Sequence, residues 1–171
     1  IQGGLVVMIS HGISTGALMA PFAFLGPAYD ARLKQAYTTI SDNDIFQAHG
    51  PVSILLSLAN LKELPSLADS RPLAQLVATI VDAQVLQEIA QEHWKGRRLL
   101  MGTVQLDAQR LVIWNMGAIA ASGHPQALEL FRKIMVASAS IPAMFPPQYF
   151  TVEAGGEESQ EMHVDGGARV Q

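Results

Sequence analysis

Leu5-Val6-Val7-Met8-Ile9, then Gly12-Ile13-Ser14-Thr15-Gly16, then Ala17-Leu18-Met19-Ala20 form the stretch on which the reading of the architecture turns. The first five residues are an uninterrupted apolar run, which is what a strand of a parallel sheet needs when helices cover both of its faces. A central strand is expected there. The glycine-bracketed residues that follow read as a tight turn, and the next apolar residues as a helix, so the local order is strand, turn, helix. In that context Gly12-x-Ser14-x-Gly16 has the form of a nucleophile elbow: a serine on a strained turn, with flanking glycines that let backbones approach without a Cβ clash. The plain alternative is a glycine-flanked turn that only packs a helix on a strand. Pro21 falls inside the helical pattern, where it removes a backbone bond or bends the helix.

Outward from this stretch, residues 29–67 are helical in pattern but broken by Gly50-Pro51 and Pro65, which suggests a helical cap over a sheet. Ser70 before Arg71-Pro72 starts a clearer helix with Leu73, Leu76, Val77 and Ile80 on one face. A second start at Asp82 leads through Val85, Leu86 and Ile89 to Trp94. Leu99 to Leu106 and Leu111 to Trp114 read as a hairpin, and Pro125 to Ser138 as an amphipathic helix with Leu128, Phe131, Ile134 and Met135 inward. Pro142, Pro146 and Pro147 force an extended crossing into Tyr149-Phe150-Thr151-Val152. An acidic loop over 153–161 and a short strand Met162-His163-Val164 follow, ending at Asp165-Gly166-Gly167. Strands alternating with helices make the class α/β, in a single domain.

Composition narrows the function. The 171 residues are 49% hydrophobic and 15% charged, so much of the chain is buried and intrinsic disorder is excluded. A net charge of −4 without a basic run argues against a nucleic-acid partner. With no cysteine there is no disulfide framework, thiolate metal site or cysteine nucleophile. Dinucleotide, P-loop and zinc-protease motifs are absent, so neither a cofactor nor a metal is expected.

A serine nucleophile needs a base. His11 adjoins the elbow but its position sends its side chain away from that of Ser14. His49 lies in the expected cap, His93 at a helix C-terminus where a cation suits the dipole, and His124 before a helix. His163 alternates with Asp165 on one short strand, so both point the same way. Asp165, at a strand end before two glycines, suits an exposed catalytic carboxylate or an ordinary Asp-Gly turn.

Taken jointly, Gly12-Ile13-Ser14-Thr15-Gly16-Ala17-Leu18 and Asp165-Gly166-Gly167 resemble the patatin-like phospholipase family. Ala20-Pro21-Phe22-Ala23-Phe24-Leu25-Gly26, Gly96-Arg97-Arg98-Leu99-Leu100, and Ala137-Ser138-Ala139-Ser140-Ile141-Pro142 before Phe145-Pro146-Pro147 look like its bacterial branch. The resemblance spans about residues 12–170. It implies a three-layer α/β sandwich with a mostly parallel central sheet and helices on both faces. It also implies lipid ester hydrolysis through a dyad of Ser14 as nucleophile and Asp165 as general base and acid, with the Thr15 N–H as an oxyanion donor and Gly12, Gly16, Gly166 and Gly167 as motif glycines. The implied partner is a lipid ester, with peripheral contact to a membrane or micelle surface; the location, cell envelope or secreted among the options, is left open by the residues.

One departure stands beside the match. The family places a glycine-rich oxyanion loop upstream of the elbow, and here only Gly3-Gly4 precede it, too close to serve. With Ile1 in place of methionine, the expectation is a partial domain over 1–171 that lacks this loop and an upstream strand and is inactive alone. Two other readings compete: an α/β-hydrolase using Ser14, Asp107 and His163 in that fold's chain order, and a catalytically dead domain that binds lipid or a partner through its apolar cap.

Overall fold

The computed structural model describes residues 9–39, 69–142 and 144–168. Their order is β1 (Ile9–Gly12), α1 (Thr15–Leu25), a 3₁₀ turn (Pro27–Tyr29), α2 (Asp30–Thr39), α3 (Arg71–Ile80), α4 (Ala83–Trp94), β2 (Arg98–Gln105), β3 (Arg110–Asn115), α5 (Met116–Ala121), α6 (Ala127–Ser138), β4 (Gln148–Ala154) and β5 (Glu157–Asp165). The class is α/β as expected. The apolar run at 5–8 and most of the expected cap, residues 40–68 with His49, lie outside the described residues.

Strand direction differs from the expectation. The sheet is mixed and mainly antiparallel: only β1 with β2 is parallel, while β3 and β5 both pair antiparallel with β2, and β4 with β5. The described end of the apolar run does pair in parallel, β1 with β2; it is the hairpin returns of β3, β4 and β5 that make the rest of the sheet antiparallel, against the mostly parallel sheet the resemblance implies. The hub is β2, and not the first strand. Along one edge β2 pairs with β3 through residues 100–105, and along the other with β1 through 98–101 and then with β5 through 103–105. The β2–β3 hairpin lies where the sequence put it. The acidic stretch does not: residues 157–161 belong to β5, joined to β4 by Gly155-Gly156 at φ of 64° and 85°. That pair of left-handed glycines is the turn a two-residue hairpin requires. Glu157 to Gln160 are exposed, so this ribbon is wet and shows no apolar alternation.

The helices dock on this sheet through apolar faces. In α1, Ala17, Leu18, Ala20, Phe22 and Phe24 are buried, with Pro21 accommodated inside a continuous helix. Each large side chain among them contributes about 1.5–3 kcal/mol by leaving water. Gly26 ends the helix at φ 97°, and the Arg97 guanidinium donates to the Phe24 carbonyl while lying 4.4 Å over the Phe24 ring. Leu73, Val77 and Ile80 of α3, Val85 and Ile89 of α4, and Phe131, Ile134 and Met135 of α6 are buried, as their spacing predicts. Asp82 caps α4 by accepting from Val85 N–H at 2.9 Å and binds Arg32 of α2 at 2.7 Å, and these contacts, Arg32 first, hold its carboxyl below the usual range. Helix α5 went unforeseen, because Met116-Gly117-Ala118 carries no strong period. It starts on Asn115, which accepts from Ala118 N–H at 3.0 Å.

Gly117 of α5 packs so tightly on His93 that a Cβ there would lie 2.6 Å from Nδ1. That nitrogen is buried and has no hydrogen-bond partner among the described residues. His93 is therefore not the dipole-stabilised cation expected at a helix end. Burial, and then the charge of Arg98, hold its imidazole below its ordinary value. The unfolded chain therefore binds a proton that the folded chain resists, so stability falls as pH drops below about 6.5. Urea midpoints measured from pH 7 to 5 should decline, and His93→Gln should flatten that decline, because Asp82 and Glu92, held low by their cationic partners, titrate only further down. An unchanged slope in the variant would assign the decline to other groups.

Candidate active site

The register brings both ends of the sequence motif to one place. β1 runs parallel to β2 and ends with Gly12 opposite Met101. β5 runs antiparallel and ends with Asp165 opposite Thr103. The C-terminal ends of β1 and β5 therefore face each other across Gly102, which pairs with neither. Ser14 follows one end, and Asp165 is the other.

Ser14 has φ 58° and ψ −134°, a left-handed conformation that costs a non-glycine residue about 1–3 kcal/mol. Its side chain does not cap α1, so the hydroxyl is not spent on its own helix. The elbow is held by its backbone: Ser14 N–H donates to Ser138 O at 2.9 Å, Gly16 N–H to Ile13 O at 3.0 Å and Ala17 N–H to Ser14 O at 2.9 Å. Gly12 is required sterically, since a Cβ there would sit 2.6 Å from Gly16 O and 2.9 Å from Ala17 Cα. Gly16 is not: nothing lies within 4 Å of its Cβ position, so the second motif glycine borders open space.

Asp165 is 5% exposed, with its N–H on Ser140 O at 2.9 Å. Its Oδ1 accepts from Gly167 N–H at 2.7 Å, and Ala168 N–H closes the turn onto Asp165 O at 3.0 Å. A Cβ on Gly166 would lie 2.4 Å from Gly102 O, so this turn seats directly on β2. Ile13 packs over the same point, its side-chain carbons 3.2 and 3.3 Å from where a Gly102 Cβ would be. Among the described residues no hydrogen bond joins the Ser14 hydroxyl to the Asp165 carboxylate. What brings the two residues together is their backbones.

The other candidates lie elsewhere. His163 is fully buried and both ring nitrogens are engaged: Nδ1 with Thr103 Oγ1 at 2.8 Å, and Nε2 with Glu161 Oε2 at 3.0 Å. The Trp114 indole N–H, which can only donate, already gives Thr103 Oγ1 a proton at 2.7 Å. A carboxylate only accepts, so Nε2–H donates to Glu161, and Nδ1 shares its hydrogen bond with the same Thr103 hydroxyl that accepts from Trp114. Trp114 and Phe150 enclose the ring, with centroids 5.4 and 5.0 Å from it. His163 is thus a satisfied core residue. Asp107 is on the exposed β2–β3 turn, reached by Met162 N–H at 3.4 Å, and His124 Nδ1 accepts from Gln126 N–H at 3.2 Å at the start of α6. Sequence reasoning gave no role to Gly102, Ser138 or Ser140. Gly102 sits among apolar strand residues, and two small serines at a helix end offer no motif by themselves. Among the described residues no cluster of His, Asp and Glu could hold a metal.

Among the described residues, a left-handed serine turn and a strand-terminal aspartate come to neighbouring strand ends of a mixed sheet in an α/β protein. A family model described as patatin-like phospholipase matches residues 4–170. The chain belongs to that family, which is one of lipid acyl hydrolases. No curated protein matches it.

The glycine contacts separate fold from chemistry. Gly166→Ala must displace the β2 backbone and should destabilise by about 1–3 kcal/mol in urea unfolding. Gly16→Ala meets nothing and should unfold at or above the wild-type midpoint, since alanine is favoured in a helix. Equal destabilisation by both would contradict the packing described.

Proposed function

We propose that the chain hydrolyses carboxylic esters of lipids, of the phospholipase A or lysophospholipase type, with Ser14 as nucleophile and Asp165 as general base and acid. The observation that carries the reading is the left-handed backbone of Ser14 at the end of β1, facing the end of β5 where Asp165 stands. Ser14 Oγ attacks the ester carbonyl carbon while its proton passes to Asp165. Since Gly167 holds Oδ1, we assign the proton to Oδ2. The tetrahedral oxyanion takes a hydrogen bond from Thr15 N–H, the donor at the elbow once Gly16 and Ala17 have spent theirs on Ile13 and Ser14. Collapse breaks the C–O bond, and the alcohol leaves with the proton from Asp165. Water then gives a proton to Asp165 and attacks the acyl-enzyme, and the second collapse returns that proton to Ser14 Oγ as the acid departs.

The surface near Ser14 suits an apolar substrate. Ile13 beside it, Leu111 and Ile113 on β3, and Ile141 after Ser140 are 37%, 52%, 54% and 40% exposed. Leu111 and Ile113 project from one face of the sheet, the face on which Ile13 covers Gly102. They offer an acyl chain, or the surface of a micelle or membrane, an aliphatic landing beside the nucleophile.

Ser14→Ala should lower hydrolysis of a short-chain nitrophenyl ester at least about 10³-fold and abolish labelling by a fluorophosphonate, with an unchanged unfolding midpoint. Labelling that persists in this variant would place the nucleophile elsewhere. Asp165→Asn should cost a similar factor in turnover. His163→Gln should instead cost about 1–3 kcal/mol of stability, by stranding Thr103 and Glu161, while the folded fraction keeps most of its turnover. A loss of turnover in His163→Gln as large as in Asp165→Asn would favour a triad.

A further inference from the structure

Helix α6 ends at Ser138, and the last carbonyls of any helix have no partner inside it. One of these terminal carbonyls, and one in the turn just beyond it, are used at 2.9 Å each for one purpose: Ser138 O accepts the N–H of Ser14, and Ser140 O, past the Ala139 cap, accepts the N–H of Asp165. The intervening turn is tight. Ala139 N–H bonds back to Met135 O and Val136 O, and Ser140 N–H to Ala137 O, each at 3.1 Å. The two serine side chains, both fully buried, fasten this turn at either end. Ser138 Oγ donates to Gly102 O at 2.7 Å, on the β2 residue between the ends of β1 and β5. Ser140 Oγ donates to Val136 O at 2.7 Å, within α6.

From this geometry we propose that Ser138 and Ser140 are positioning residues, a three-residue gauge whose two carbonyls set the separation of Ser14 and Asp165. Neither hydroxyl is directed at substrate, because each is spent on a backbone carbonyl. The proposal rests on the Ser14–Asp165 reading above and adds a cause for the spacing that reading needs. The sheet alone does not fix that spacing. Among the described residues β1 and β5 are not paired with each other, and β5 meets β2 through a short register, His163 to Asp165. An error of about 1 Å between reacting groups costs roughly 10²-fold in rate.

The test measures kcat and KM on a short-chain nitrophenyl ester, and the urea midpoint, for Ser138→Ala and Ser140→Ala, each alone and combined with Asp165→Asn. Each single variant should lower kcat about 10- to 100-fold with KM within about twofold, whereas Ser138→Thr, which keeps the hydroxyl, should recover most of the loss. Combined with Asp165→Asn, the same change should cost less than about twofold more, because the distance it disturbs no longer matters. Ser122→Ala, whose hydroxyl bonds Ile119 O at an exposed helix end, is the neutral control. If Ser138→Ala does not fold, Ser140→Ala decides, since its hydroxyl reaches only its own helix. A wild-type kcat in the folded single variants, or a loss that multiplies in full with that of Asp165→Asn, overturns the gauge while leaving the dyad intact. Wild-type turnover in Ser14→Ala overturns the dyad, and the gauge with it.

Discussion

The carbonyl of Gly102 is the point on which the arrangement depends. One edge of β2 serves two strands in succession, β1 and then β5, and Gly102 is the residue between their registers. A buried carbonyl without a partner costs about 1–3 kcal/mol, so something had to occupy it. The Ser138 hydroxyl does. Because that serine stands at the end of α6, satisfying one acceptor also brings the helix terminus and the turn after it, with their free carbonyls, up to the two strand ends. The elbow and the aspartate turn then supply the donors those carbonyls lack. A single local need of the sheet thereby accounts for the meeting of residues 151 positions apart in sequence, counted as 165 minus 14.

The same place explains the glycines. Gly102 leaves room for Ile13, Gly166 lets its turn rest on the Gly102 carbonyl, and Gly12 lets α1 close on β1. Gly12 and Gly166 remove a Cβ where backbones touch and Gly102 one where the Ile13 side chain packs, and none does so through backbone freedom, since the left-handed residue here is the serine. Gly16 differs in facing open space, so packing does not require it.

Much of this was legible in the residues. Helices α3, α4 and α6 carry apolar side chains at three- and four-residue spacing, α4 starts on the Asp82 cap, and the hairpin of β2 and β3 is marked by two apolar runs about a polar turn, so local pattern and tertiary structure agree there. Ser14 and Asp165 stood out because each combines a reactive side chain with a glycine-marked turn at a strand end. The direction of the strands was not legible, because pairing direction depends on where the chain returns and not on what a strand is made of. The β4–β5 ribbon was hidden by exposure: with Glu157, Glu158, Ser159 and Gln160 all in water, no periodicity was imposed, and only Gly155-Gly156 marked the turn. The roles of Ser138 and Ser140 were hidden more deeply, since the groups that hold Ser14 and Asp165 are main-chain carbonyls, which every residue has.

The strain at Ser14 sets the terms on which this site can exist. A left-handed serine costs about 1–3 kcal/mol, and a single hydrogen bond, worth about 1 kcal/mol net, does not hold it. Several contacts acting together do: the bond to Ser138 O, the turn closed by Gly16 and Ala17, the Ile13 side chain wedged over Gly102, and the burial of α1 through Phe22 and Phe24, which anchors the far side of the turn. These contacts tie the Ser14 backbone to a helix packed in the core. A half-buried hydroxyl at the head of that helix, not used to cap it, is what the strain obtains, whereas helix-start serines ordinarily turn inward to cap.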